Sequence, residues 1–93
     1  MSASSHDTRV FENMLEQNFQ QRIKYAKSLL PERAKSNGEI VGLAILSAIS
    51  NTYKSMEKTF INDPSTNKLF SNEEILRSMD KVMDKVKRLH QIN

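Results

Sequence analysis

The residues of this chain that could do chemistry are few, and most of them are cations. Arg22, Lys24, Lys27, Arg33 and Lys35 crowd around Pro31, offset by a single acid, Glu32. Cations gathered in this way can hold phosphate oxygens, so the corner is the first candidate site and its chemistry is contact with a nucleic-acid backbone. A second basic row, Arg77, Lys81, Lys85 and Arg88, falls on one narrow arc of a helix turning roughly 100° per residue, opposite the apolar seam. Glu73 and Asp84 stand four residues before Arg77 and Arg88, so this row reads as a solvated, internally paired face.

Other chemistry finds no residues to carry it. His6 and His90 are the two histidines, near opposite ends of the chain, and there are no cysteines. No His-x-x-x-His or Glu-x-x-His spacing offers a transition-metal site. Asp80 and Asp84 share a helical face as a metal-holding pair would, but Arg77, Lys81 and Arg88 stand at ion-pairing offsets. Neither a Gly-rich phosphate loop nor a Gly-x-Ser-x-Gly elbow is present. The expectation is a protein that is not an enzyme, with no metal, no cofactor and no small-molecule substrate.

The elements that must position the basic corner are helices. At 93 residues the chain reads as a disordered tail over 1–6 followed by a single helical domain over 7–93. Val10, Phe11, Met14, Leu15, Phe19, Ile23, Ala26 and Leu30 recur at three- and four-residue steps and predict a helix over 8–29, capped by Asp7 or Thr8. Pro31 ends it. Residues 31–36 predict one short helical turn, with Gly38 supplying a positive φ at its end. Ser36 and Glu39 are spaced as a capping box for the next helix, over 39–61.

That central helix carries the most apolar run of the chain, Ile40 to Ile49. Its side chains point nearly all round, which predicts burial on several sides, with Gly42, Ala44 and Ala48 letting neighbouring backbones come close. Asn51, Lys54, Glu57 and Lys58 follow too soon for a membrane span of about 20 apolar residues. The later half narrows to a seam of Ile45, Ile49, Tyr53, Met56 and Phe60. Residues 62–68 read as a loop. Leu69 and Phe70 read as a staple, and Ser71 with Glu74 as a capping box for a last helix over 72–90. Ile75, Met79, Val82, Val86 and Leu89 step by four and three, a seam that suits packing inside the bundle or against another copy. The fold class is all-α: a small bundle of three main helices plus a short helical turn.

The run Tyr25-Ala26-Lys27-Ser28-Leu29-Leu30-Pro31, then Asn37-Gly38, then Leu43-Ala44-Ile45-Leu46 resembles the small helical subunit of type III (Cmr-type) CRISPR effector complexes, in which a Tyr- and Lys-bearing helix ends in Leu-Pro before an Asn-Gly corner and a Leu-Ala-Phe-Leu core helix. The resemblance covers residues 25–46. It implies a non-catalytic, filament-forming subunit in antiviral defence, with copies stacked along a guide–target RNA. Arg22, Lys24, Lys27, Arg33 and Lys35 would contact the backbone, while Tyr25 and Asn37 read as structural.

Two functions therefore stand as expectations. One is a non-catalytic subunit of a ribonucleoprotein complex that contacts RNA backbone through the five corner cations. The other is a small protein–protein interaction module (an adaptor, immunity factor, chaperone or regulator) acting as a dimer or with a protein partner. For the second, Ile40, Leu43, Ile75, Met79, Val82, Val86 and Leu89 are the expected interface. The net charge of +3 permits nucleic-acid contact without arguing for it. The N-terminal residues show neither a basic nor an apolar leader region, so a cytoplasmic protein is expected, with self-association and no membrane contact.

Overall fold

A computed structural model describes residues 4–92, and among them there are helices and no strands. Three long helices, α1 (Ser5–Ser28), α2 (Gly38–Phe60) and α4 (Asn72–Leu89), run up, down and up. A 3-10 turn, Glu32–Ala34, joins the first two, and a single-turn helix, α3 (Pro64–Asn67), lies between the last two. α1 packs against both α2 and α4, while α2 and α4 touch least. The result is a rod of 50 × 21 × 17 Å with two distinct ends. One, the corner end, gathers the end of α1, the 3-10 turn, the start of α2 and the end of α4. The other gathers the start of α1, the end of α2, α3 and the start of α4.

Each helix starts where a short polar side chain can satisfy free amides. Ser4 caps α1, its Oγ accepting from the Asp7 amide at 3.0 Å. The helix thus begins earlier than expected: Ser5 and His6 are helical rather than tail, and residues 1–3 of the expected tail lie outside the described residues. Asn37, not Ser36, caps α2, because its Oδ1 accepts from two amides, those of Glu39 at 3.1 Å and Ile40 at 3.2 Å. Gly38 is the first residue of that helix, and no glycine has a positive φ. The loop expected over 62–68 contains α3, which starts at Pro64 behind Asp63; its Oδ2 accepts from both the Thr66 amide and the Thr66 hydroxyl. Ser71 and Glu74 form the capping box of α4 as expected. That helix closes on Gln91 at φ 58°, with the Ile92 amide donating back to the Lys87 carbonyl at 2.8 Å.

The core is a row from α1 (Phe11, Leu15, Phe19 and Ile23) set against Ile45, Ala48, Ile49 and Met56 of α2 and Ile75, Met79, Val82 and Val86 of α4. At the end away from the corner, the Phe11 ring stacks on Phe70 with centroids 4.8 Å apart and meets Phe60 edge-on at 5.5 Å. Phe70 is the buried half of the expected staple, and Leu69 is exposed.

The central helix departs from expectation. Its apolar run is not wrapped on several sides: Ile40, Leu43 and Leu46 are 41, 68 and 40 % exposed. A Cβ added at Gly42 would meet nothing within 4 Å, so no neighbour uses that glycine for close approach. The α4 seam also resolves one way. Ile75, Met79, Val82 and Val86 are interior residues of the monomer and offer no surface for another copy. Leu15→Ala should therefore cost about 2–5 kcal/mol of stability in a urea melt, whereas Leu43→Ala should change it by less than about 0.5 kcal/mol.

Candidate functional site

The five cations of the corner do not form one patch. Successive residues of a helix are turned by roughly 100°, so Arg22 and Lys24 lie about 200° apart around α1. Arg22 sits on the flank facing α2, beside Asn18, Ser55 and Thr59. Lys24 and Lys27, three residues apart, share the other flank. They join Lys35 around a groove of about 500 Å³ whose floor is Ile23, Leu30 and Val41. Arg33 is exposed on the 3-10 turn and is not among the groove residues. Lys35 is joined to Glu32 at 3.1 Å, an exposed pair of small energetic weight. Among the described residues no acid pairs with Lys24 or Lys27.

The groove is completed by His90, one of the two histidines that the sequence leaves near opposite ends of the chain. Its Nε2 lies 2.9 Å from Oε1 of Gln20. Burial and the nearby Lys27 ammonium hold its pKa below the usual histidine value, because a second positive charge is unwelcome in a partly desolvated site. What brings His90 there is the register of α4 on α1. Glu12, Glu16 and Gln20 form a row at four-residue steps along α1. Glu12 accepts from the Ser78 hydroxyl at 3.0 Å and from Lys81 at 3.2 Å, and Glu16 accepts from Lys85 at 2.7 Å. The basic row of α4 is thus not a free, internally paired face: Lys81 and Lys85 reach across to α1. The signal was present in the sequence, as two rows of opposite charge with the same four-residue step on the first and last helices.

A second tie joins the two helices that touch least. The Tyr53 hydroxyl donates to Oδ1 of Asp80 at 2.6 Å, spanning α2 and α4. Tyr53 is half-buried against the core, and Asp80 is a hydrogen-bond acceptor rather than half of a metal pair. Among the described residues no group of three or more His, Cys, Asp or Glu is placed to hold a metal ion.

A further surface lies on the outside of the corner end. Ile40, Leu43 and Leu46 face outward along α2, and Tyr25 and Leu29 at the end of α1 are 63 and 65 % exposed. Leu89 is 57 % exposed. Of the expected interface residues, then, Ile40, Leu43 and Leu89 are at the surface, and the four others are not. Tyr25 packs into no core, whereas Asn37 is structural, as the cap of α2.

Comparison of the chain with family models, with curated proteins and with solved structures returned no match. Among the described residues no helix is long and apolar enough to cross a membrane.

The Tyr53–Asp80 bond carries a pH dependence. Burial first, then the hydrogen bond to Asp80 and the charges of Asp80 and Glu57, push the Tyr53 pKa up to about 12 from 10.0. A raised pKa means that the fold holds the phenolic proton more tightly than the unfolded chain does. Its contribution is complete below pH 10 and is lost as pH rises through about 12. Denaturant melts should show stability falling across that alkaline window, and Tyr53→Phe should reduce the fall while costing at most about 1 kcal/mol at neutral pH.

Proposed function

We propose that the protein is a non-catalytic helical interaction module that self-associates through the outer face of α2. One observation supports this above others: Leu43, in the middle of the most apolar run of the chain, is 68 % exposed. Isolated exposed leucines are ordinary, but Ile40, Leu43 and Leu46 recur every three residues along one outer arc of α2, which makes a contiguous apolar strip.

The strip is complementary to itself. Ser47 and Ser50 are exposed on the same arc, with Glu39 near its start and Lys54 near its end. If two α2 helices meet antiparallel about a two-fold axis beside Leu46 and Ser47, Leu43 of each copy faces Ser50 of the other, a large side chain against a small one. Glu39 of each copy then faces Lys54 of the other. A single helix face buries less than the roughly 1,600 Å² of a standard interface, so the association is a weak, concentration-dependent one.

A second reading, contact with a nucleic-acid backbone, is favoured by the gathering of Lys24, Lys27 and Lys35 around one groove, where Lys35 is paired with the exposed Glu32 and no acid pairs with the other two among the described residues. On that reading the chain serves in the cytoplasm as a subunit of a ribonucleoprotein complex, as the resemblance over residues 25–46 implies.

Sedimentation across a concentration series tests the first reading. The wild type should shift from monomer to dimer, and Leu43→Glu should stay monomeric with its helical content intact. Glu39→Lys and Lys54→Glu should each weaken the dimer, and the two changes together should restore it. A wild type that remains monomeric at the highest soluble concentration defeats the proposal. For the second reading, RNA binding should fall steeply with salt and be lost on Lys24→Glu/Lys27→Glu/Lys35→Glu, while Arg22→Glu, on the other flank, should leave it nearly unchanged. Absence of binding at low salt removes it.

A further inference from the structure

We propose that the groove at the corner end is a binding site for a small amphiphilic anion, a single carboxylate or sulfonate head carrying an unbranched apolar tail. The site is independent of the self-association strip, since the groove lies where α1, α2 and the end of α4 meet and the strip lies on the outer arc of α2.

Size, floor and rim each narrow the ligand. The groove volume of about 500 Å³ falls in the range of small-molecule clefts. Its floor is Ile23, Leu30 and Val41, which present apolar surface to the opening. Its rim is Lys24, Lys27 and Lys35. Lysine stems lie along apolar walls while their ammonium groups reach outward, so three cations can converge on one head group above a tail lying on the floor. Their mutual repulsion is relieved by an anion; Glu32, which pairs with Lys35 at 3.1 Å, lies outside the groove lining, and no acid pairs with Lys24 or Lys27 among the described residues. A bare phosphate would use the rim and leave the floor wet. A neutral hydrocarbon would use the floor and leave the charges unmatched. An amphiphile with one negative head satisfies both.

His90 supplies a reporter inside the site. Its pKa is held low by burial and by Lys27, so an anion seated among the lysines offsets the Lys27 charge and moves that pKa upward. Lys24 and Lys35 line the same groove, and Gln20, the hydrogen-bond partner of the ring, is neutral. His6 lies at the opposite end of the rod and serves as an internal reference.

The experiment is an NMR pH titration of both histidine rings in the full chain, with and without dodecanoate below its micelle concentration. The expected result is saturable binding that raises the His90 pKa toward the ordinary histidine value and leaves His6 unmoved. Affinity should climb from acetate to dodecanoate by about twofold to fourfold per methylene reaching the floor. Lys24→Glu/Lys27→Glu, both at exposed positions, should weaken dodecanoate at least about tenfold with helicity unchanged by circular dichroism. The proposal is overturned if acetate or inorganic phosphate moves His90 as far as dodecanoate does, since the floor would then be unused. It is equally overturned if dodecyltrimethylammonium binds as well, if both histidines move together, or if the charge-reversed variant binds like the wild type. A short RNA oligonucleotide that moves His90 at a lower concentration than dodecanoate would assign the lysines to phosphate backbone and also overturn it.

Discussion

A helix in a three-helix bundle has two neighbours, and two neighbours cover only one side of a cylinder. The surfaces of this protein depend on that limit. α1 comes closer to obeying it: its row Phe11, Leu15, Phe19 and Ile23 is buried along its length, with Val10 and Met14 outside that row. α2 does not obey it. From Ile40 to Ile49 its apolar residues occupy more of the circumference than α1 and α4 can reach. Ile45, Ala48 and Ile49 are covered, and Ile40, Leu43 and Leu46 are left outside. Leaving them outside forgoes part of the roughly 1.5–3 kcal/mol that full burial of a large side chain yields, a free energy that association can recover.

The two ends of the rod answer this limit differently. Away from the corner, Phe11, Phe60 and Phe70 interlock and take up much of the space between the converging helices, beside a smaller groove of about 380 Å³. At the corner end no aromatic side chain does the same work. Tyr25 is at the surface, and Ala26, Val41 and Leu30 only partly fill the space between helices. The polar row Glu12, Glu16 and Gln20 holds α4 in register along α1, and each exposed bond in it adds little energy but penalises a slip. The register then delivers His90 to the unfilled end. The groove follows from these two facts: helices held at fixed register, and too little apolar volume to close the space between them.

Local structure was legible in the sequence because it depends on neighbours in the chain. The α1 periodicity, the Pro31 break, the 3-10 turn and the Ser71–Glu74 box all follow from side chains within a few residues of one another. The errors were of two kinds. Where two local solutions competed, the better hydrogen bonding won: Asn37 satisfies two amides and displaces Ser36 as the cap, and Asp63 with Pro64 makes a helical turn out of an expected loop. Where the answer depended on which helix lies beside which, the pattern within a single helix could not decide it. Burial of Ile75, Met79, Val82 and Val86 inside the monomer, and exposure of Leu43, are settled by packing order. The division of the basic corner is an intermediate case. The two-residue step from Arg22 to Lys24 places them on different flanks by helix geometry alone, whereas the convergence of Lys35 and His90 on Lys27 needs the tertiary fold.

The corner end thus combines the larger end groove with two lysines, Lys24 and Lys27, that no acid pairs among the described residues, and these two properties have one physical origin. Lysines at a well-packed end would be held against apolar neighbours and would need acids to offset desolvation. At an open end their ammonium groups keep their water and tolerate one another across the groove. Filling that space with larger side chains would stabilise the monomer and remove both the cavity and the freedom of the cations around it. The corner, with the larger of the two end grooves, is thus where packing is given up in a manner suited to binding.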